Sequence, residues 1–513
     1  MISYSKKIKM NIINQAEKSL SKENNLSDKK VILLLAFILI IGSILRFYGL
    51  GSKSLWWDEL LTWFTNNVES LRGLIDNVRR YEGNAPLYHL IIYPIMKYIG
   101  DSESILRFPS AISGILSIIV IFLLGIRLYS YREGLIASAL MAILITPIDY
   151  SQQARYYSML LLFTSLATYF WVYMLQCLDK KDKLPSYITS GYIIIAIATS
   201  YLHYFGVYLI ILHGLGALSF FIRRRQALFH IFVIYLIIFF AYLPWLPIML
   251  LHIKRGYHGW IPKPELFLSI RKFMRFLFNG SNLLAVIVVI MYMFLFLHRL
   301  KDILKKREYK DMRTMFLSPD ILLTLWLTVP FIGIYIKSII SAPIFYTRYL
   351  IISLPPAYLL LARSLTQLPI RSKAQTILAC AMIGLFLFHT IFIKDYYSQS
   401  SHNTQQFREA VDYIVKNDHV YKNSIITGNT FFGNIFLMNY YFHRKNSSRM
   451  VEIGDSPADV AAVIKEREPR YIWYICGHWN CPNKEFLDFL NENLRLIMHR
   501  DFYNTGVWLF ERR

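Results

Sequence analysis

Eleven apolar stretches, most of them close to twenty residues long, occupy the chain between residues 31 and 393. They lie at about 31–50, 105–126, 134–148, 157–176, 187–202, 206–222, 227–250, 282–298, 320–340, 349–365 and 374–393. A helix needs ~20 apolar residues to cross the ~30 Å hydrocarbon layer. Inside a bilayer every backbone polar group must be satisfied within the protein, so such segments fold as helices. The pattern predicts an all-α polytopic membrane domain of about eleven transmembrane helices. Composition agrees: 55% of the 513 residues are hydrophobic and only 17% charged, whereas a soluble domain carries about 25% charged residues. The same figures exclude disorder. Four cysteines in this length exclude a disulfide scaffold and a multi-cysteine metal framework.

Residues 1–30 form a polar tail with seven lysines. The stretch after it is too long for the apolar core of a cleaved signal peptide, which predicts a retained signal anchor. The 187–222 block exceeds one helix, and His203-Tyr204-Phe205-Gly206 is its natural break. Residues 86–99 are short and contain Pro94, so they read as an interfacial helix rather than a span.

A net charge of +23 would suit nucleic-acid binding if the bases shared one surface. Instead they fall in alternate loops. These are the tail, Lys180/Lys181/Lys183, Arg223–Arg225, the seven Lys and Arg between Arg299 and Arg313, and Arg363/Arg371/Lys373. That is the positive-inside pattern. It predicts a multi-pass protein of the cytoplasmic (inner) membrane with a cytoplasmic N-terminus, a periplasmic or extracellular C-terminus and no nucleic-acid partner. The division is a cytoplasmic tail (1–30), a membrane domain (31–393, with a first outer loop at about 51–104) and a soluble domain (394–513).

After residue 393 acids and bases balance, and helix-like and strand-like periods alternate. Gln406–Val415 and Pro457–Arg467 read as helices, Ser424–Thr427, Tyr471–Cys476 and Val507–Phe510 as strands. The tail is therefore expected to be a soluble α/β domain. Cys476 and Cys481 flank Gly-His-Trp-Asn; a local disulfide and two free thiols fit equally, and a zinc site with His478 fits less well.

Three polar segments at the outer ends of spans carry candidate chemistry. Trp56-Trp57-Asp58-Glu59 places two carboxylates directly after two indoles. An interfacial tryptophan belt with solvated acids explains it equally well, but partly desolvated acids at a membrane boundary suit a general base or a cation ligand. Asp149-Tyr150-Ser151-Gln152-Gln153-Ala154-Arg155-Tyr156-Tyr157 follows Pro147 as a polar turn, in which Asp149 and Arg155 form either a structural ion pair or a site. Arg348 lies between tyrosines in Tyr346-Thr347-Arg348-Tyr349, a site cation or a snorkelling anchor. A basic aromatic loop (Lys254, Arg255, Tyr257, His258, Trp260) reads as a headgroup-contacting lid. No nucleotide-binding or metalloprotease motif is present, so an enzyme facing outward must take an activated substrate from the lipid.

Read in order, R-x-Y-x-L-G-S-x-S-L-W-W-D-E, A-P-L-Y-H-L, D-S-E-S-I-L-R-F-P-S-A-I-S-G, Y-S-Q-Q-A-R-Y-Y-S and R-Y-L-I-I-S-L-P resemble bacterial members of the protein O-mannosyltransferase superfamily. These are glycosyltransferases of the GT-C fold (family 39-like), related to the aminoarabinose transferase of lipid A. The resemblance is strong over residues 31–176 and moderate near Arg348. It implies a polyprenyl-phosphate-linked sugar donor, a glycan, lipid or protein acceptor, and contact with membrane lipids. The family's acidic pair falls on Asp58 and Glu59, and its Ser-Gln-x-x-Arg-x-Tyr element on Ser151, Gln152, Arg155 and Tyr157. Ala85 and Asp149 depart from the family's usual residues.

The expected function is inverting transfer of a hexosyl or pentosyl group at the outer face of the membrane. Asp58 is the expected base, with Glu59 orienting it or sharing its proton. Arg155 and Arg348 are expected on the donor phosphate. Trp56, Trp57, Asn84, Tyr88, Asp149, Gln152, Tyr156 and Tyr349 are expected against substrate. A divalent cation (magnesium or manganese before zinc) on Asp58, Glu59 and Asp149 is a candidate cofactor. The alternative is a lipid-linked glycan flippase without chemistry, which calls for charge pairs along a transbilayer path.

Overall fold

The computed structural model describes residues 28–180, 184–221, 225–255, 261–306, 318–397, 405–428, 438–445, 447–477 and 481–512. The lysine-rich tail before Asp28, Tyr257, His258, Trp260 and His478 lie outside the described residues.

The eleven apolar stretches are all helical. Those that reach spanning length unbroken are α1 (Asp28–Phe47), α5 (Glu103–Leu128), α8 (Tyr157–Lys180), α11 (Arg225–Tyr242) and α15 (Pro319–Ile340). So do a 3-10 segment (Thr347–Ser353) continuing into α16 (Leu354–Thr366), and α17 (Ser372–Phe388) with the π turn His389–Ile393. α6 (Tyr131–Ile143) and α7 (Ile145–Ser151) form a pair bent by 58°, α13 (Leu266–Leu277) and α14 (Asn282–Lys306) one bent by 93°. α9 (Ser186–Leu202) and α10 (Tyr204–Phe221) are shorter and meet at His203, where the sequence places the break. The chain is a multi-pass membrane protein.

Between α1 and α5 the first loop folds into α2 (Trp57–Asn66), α3 (Leu71–Tyr81) and α4 (Leu87–Tyr98). α4 has twelve residues, about 18 Å of helix, too short to span. It buries Tyr88, His89, Ile92 and Tyr93. α12 (Leu246–Arg255) completes the helices at this end.

Arg46, near the end of α1, is fully buried and binds α1 to its neighbours. It donates to the carbonyls of Gly42 (3.1 Å), Ala142 (3.1 Å) and Met141 (2.8 Å) and to Ser151 Oγ (3.2 Å). A Cβ on Gly114 would lie 2.7 Å from Arg46 Nε and 2.0 Å from Ser151 Oγ, so only glycine lets α5 pass there. At the opposite end of the bundle Glu133 accepts from Arg363 (2.9 Å) and Thr366 (2.7 Å), and Tyr129 donates to Asp320 (2.6 Å). These bonds fasten α5, α6, α15 and α16 together away from the first loop.

The C-terminal part holds α18 (Phe407–Asp418), β1 (Ser424–Gly428), α19 (Asn439–Arg444), β2 (Ile453–Gly454), α20 (Pro457–Arg467), β3 (Tyr471–Gly477), α21 (Lys484–Asn493), β4 (Leu494–Phe502) and β5 (Thr505–Arg512). The sheet order is β2-β1-β3-β5-β4, parallel through β2, β1 and β3 and antiparallel from β3 to β4. All five sequence-predicted elements are present; β2, β4, α19 and α21 are additions. Cys476 and Cys481 form a disulfide. One hydrophobic cluster joins this part to the helices, including Trp57, Trp63, Tyr88, Tyr349, Phe407, Tyr440 and Trp473.

Candidate active site

The first turn of α2 brings the two adjacent carboxylates into opposite surroundings. Glu59, at 0% exposure, reaches back to accept from Trp56 N–H (3.2 Å), closing the helix start. Its other partners are Arg107 Nε (2.8 Å), Arg107 Nη2 (2.7 Å) and Ala154 N–H (2.6 Å). Arg107 spends its remaining donors on the carbonyls of Leu50, Lys53 and Ser54. The pair pins the turn after α1 to α5. The expectation that Glu59 orients Asp58 or shares its proton is corrected here, because both Glu59 oxygens are committed to Arg107 and backbone.

Asp58 points the other way, its side chain 22% exposed. Its Oδ2 accepts from Arg348 Nη1 at 2.8 Å. The Arg348 guanidinium lies among four rings, 4.5 Å from Tyr346, 5.7 Å from Trp56, 5.8 Å from Tyr349 and 6.0 Å from Tyr157. Tyr156 packs 4.5 Å from Tyr157 and 4.7 Å from His203, and its hydroxyl accepts from Asn84 Nδ2 at 2.9 Å. The sequence-predicted Asp58, Arg348, Trp56, Asn84, Tyr156 and Tyr349 thus share one neighbourhood, with Tyr88 buried behind Tyr156 at 6.3 Å.

Arg155 is a second correction. It pairs neither with Asp149 nor with an open surface: it is 4% exposed and forks onto Glu82, Nη1 to Oε1 at 3.2 Å and Nη2 to Oε2 at 3.3 Å. Nη1 also donates to Asp58 O (3.0 Å) and Thr62 Oγ1 (2.9 Å). Arg155 therefore sets the backbone that carries Asp58. Burial pushes Glu82 up, but Arg155, by its charge and its hydrogen bonds, outweighs it and holds the carboxyl below its ordinary range. Burial lowers His89 to about 4, more than neighbouring Glu82 raises it. A neutral His89 accepts from Asn66 Nδ2 (2.8 Å) on Nδ1, which turns its Nε2–H toward Glu82, 3.4 Å away. Glu82, His89 and Arg107 were given no role from the sequence: Glu82 lies in the polar run Arg79-Arg80-Tyr81-Glu82-Gly83-Asn84 and carries no local signal, whereas His89 and Arg107 are ionisable groups in apolar helices, a weak signal alone.

Three further expectations are redirected. Trp57 is 3% exposed and packs on Phe407, so it has no face for a sugar. Gln152 donates to the carbonyls of Leu45, Arg46 and Tyr48 and so caps α1. Asp149 accepts from Tyr396 (3.1 Å) and Gln153 (2.9 Å). Asp58, Glu59 and Asp149 thus have separate partners. Among the described residues no group of three His, Cys, Asp or Glu side chains is placed to hold a metal ion, so this acidic set does not fit the divalent cation.

Residues 83–248 match the dolichyl-phosphate-mannose-protein mannosyltransferase family. No curated protein matches the chain. Among solved structures, ArnT from Cupriavidus metallidurans in the apo state superposes with a TM-score of 0.57 at 11% identity, over 93% of this chain and 97% of that one. The same protein bound to undecaprenyl phosphate gives 0.56 at 11%, over 94% and 98%. The apo oligosaccharyltransferase of Archaeoglobus fulgidus gives 0.54 at 12%, over 94% and 75%. At such identities the likeness speaks to the fold, and the fold is the one the sequence resemblance implied. The chain is a multi-pass membrane protein of the GT-C fold.

Proposed function

We propose that the chain is an inverting glycosyltransferase that moves a sugar from a polyprenyl-phosphate-linked donor to an acceptor hydroxyl at the outer face of the cytoplasmic membrane. The observation that carries this reading is the Asp58–Arg348 pair. Arginines seal Glu59 and Glu82 on the same loop, whereas Asp58 meets its arginine at a partly open, ring-lined rim. The family match over residues 83–248 and the undecaprenyl phosphate bound to ArnT support the donor class. The lysine and arginine clusters at the far ends of the helices support the orientation.

Arg348 turns from Asp58 to the donor's phosphate when the donor arrives, which frees the carboxylate as a base. Asp58 then takes the proton of the acceptor hydroxyl as that oxygen attacks the anomeric carbon from the face opposite the phosphate. The bond from carbon to phosphate oxygen breaks, and Arg348 stabilises the charge that develops on the departing polyprenyl phosphate. Trp56, half-buried beside Arg348, offers its ring to the sugar, while Tyr156 and Tyr349, both buried, back the site from behind. Arg155, held by Glu82, is a positioning residue for the Asp58 turn through its bond to the Asp58 carbonyl.

The test is a detergent assay with undecaprenyl-phosphate sugars, following release of undecaprenyl phosphate by mass spectrometry. Turnover by the wild-type protein, lost in Asp58→Asn, supports the reading. A protein that consumes none of a panel of hexosyl and pentosyl donors, yet moves them across vesicle membranes, is a flippase.

A further inference from the structure

A cavity of about 360 Å³ is lined in part by Thr347, the residue before Arg348 in the chain. Three cations line it, Lys272 and Arg275 from α13 and Lys394 from the segment after the π turn, and no acidic side chain does. Lys272 and Arg275 are three apart on a helix and so share a face. Arg275 Nε donates to the Gly280 carbonyl at 3.0 Å, and among the described residues none of the three pairs with a carboxylate. Like charges gathered around one concavity repel unless an anion joins them.

The cavity is built on a rigid floor. Asn279 and Gly280, both at positive φ (55° and 67°), make the tight turn between α13 and α14. Asn279, 2% exposed, donates to Thr390 Oγ1 (2.8 Å) and Phe386 O (3.2 Å) and accepts from Ile145 N–H (2.7 Å). Thr146 donates to Phe276 O at 2.5 Å. Three separate stretches of chain are thus locked together under the cations. A Cβ on Gly280 would lie 3.4 Å from Lys394 Nζ, so glycine leaves the ammonium room to reach over the turn.

The membrane decides the kind of anion. Leu266, Phe267 and Ile270 of α13 are 53%, 81% and 43% exposed, while Phe273 and Leu277 are buried against the bundle. A twelve-residue helix bent by 93° from the next one, with an exposed apolar face and cations beside it, belongs in the headgroup layer. Its cations therefore meet lipid-borne phosphate at that depth. We propose that the cavity of Lys272, Arg275 and Lys394 is an anion site for the phosphate head of a membrane lipid, additional to the contact at Arg348. The site lies outside the reaction assigned to Asp58 and does not depend on it.

The experiment titrates the full-length protein, in phosphatidylcholine nanodiscs, with undecaprenyl phosphate, phosphatidylglycerol and inorganic phosphate in turn. Lys272→Gln/Arg275→Gln/Lys394→Gln should weaken binding of at least one of the two lipids about tenfold or more, with a shallower salt dependence. The lipid affected identifies the source, a polyprenyl carrier or a phospholipid. Lys394→Gln alone, which leaves α13 untouched, should lose a smaller share and serves if the triple variant misfolds. Wild-type affinity of these variants for both lipids overturns the proposal, as does inorganic phosphate binding as tightly as either lipid. Loss in Arg348→Gln but not in the cavity variants keeps the donor contact and removes this site.

Discussion

Asp58 and Glu59 are neighbours in sequence, yet their side chains are 22% and 0% exposed, and their variants should fail differently. Asp58→Asn should fold normally and lose about 10²–10⁴-fold in transfer, the usual contribution of a positioned base. Retention of a third of wild-type turnover would remove Asp58 from the chemistry. Glu59→Gln should instead unfold early, because it leaves Arg107 buried without its counter-ion, at a cost of about 3–5 kcal/mol. Thermal melting in detergent separates the two. His89 adds a pH dependence. Its pKa falls from an ordinary 6.5 to about 4 in the folded chain, so between those values the unfolded chain holds a proton that the folded one lacks. Stability should fall as pH drops through that window. Glu82, held low, adds its loss only below its ordinary 4.5. His89→Gln should lessen the fall in melting temperature between pH 6.5 and 4 and leave the lower limb. An unchanged profile would show that His89 is not buried neutral.

Elements were far more legible than their partners. Length and hydropathy mark the spans because a bilayer demands them, and His203 separates α9 from α10 where the sequence breaks. β4 escaped notice because it is an edge strand, and its Leu494–Phe502 run mixes Arg, His and Asp among exposed positions. At the site, Asp58, Arg348, Tyr156 and Tyr349 were legible as polar or aromatic residues near span ends. The pairings Glu59–Arg107 and Arg155–Glu82 were not, since 48 and 73 residues separate the partners and no local period encodes such a contact. Where α1, α5 and α7 cross, Gly114 tests whether a close approach limits stability. Gly114→Val puts carbon into the space of Arg46 and Ser151, and overpacking of this kind costs about 1–3 kcal/mol or more. A melting temperature within a degree of wild type would mean that the crossing is loose.

For the whole molecule the open question is which way it faces. Lys373→Cys and Asn493→Cys, each alone in a chain whose Cys177 and Cys380 are replaced by serine, place thiols at opposite ends of the bundle. In intact spheroplasts an impermeant maleimide should label the second and spare the first. The reverse pattern would put Asp58 on the cytoplasmic side and remove the outward-facing reaction.

The C-terminal part also reaches the Asp58 turn directly. Gln405 accepts from Trp57 N–H (2.9 Å), Tyr441 from Leu55 N–H (2.6 Å) and Glu409 from Ser54 (2.7 Å). The Asp58 turn is therefore held in part by chain far along the sequence, Gln405 lying 348 residues after its partner Trp57. Substitutions that shift that tail would therefore move the Asp58 turn as well. Grafting a relative's tail onto these helices should alter turnover on an unchanged acceptor, and restoring Gln405, Glu409 and Tyr441 in the graft should return most of it.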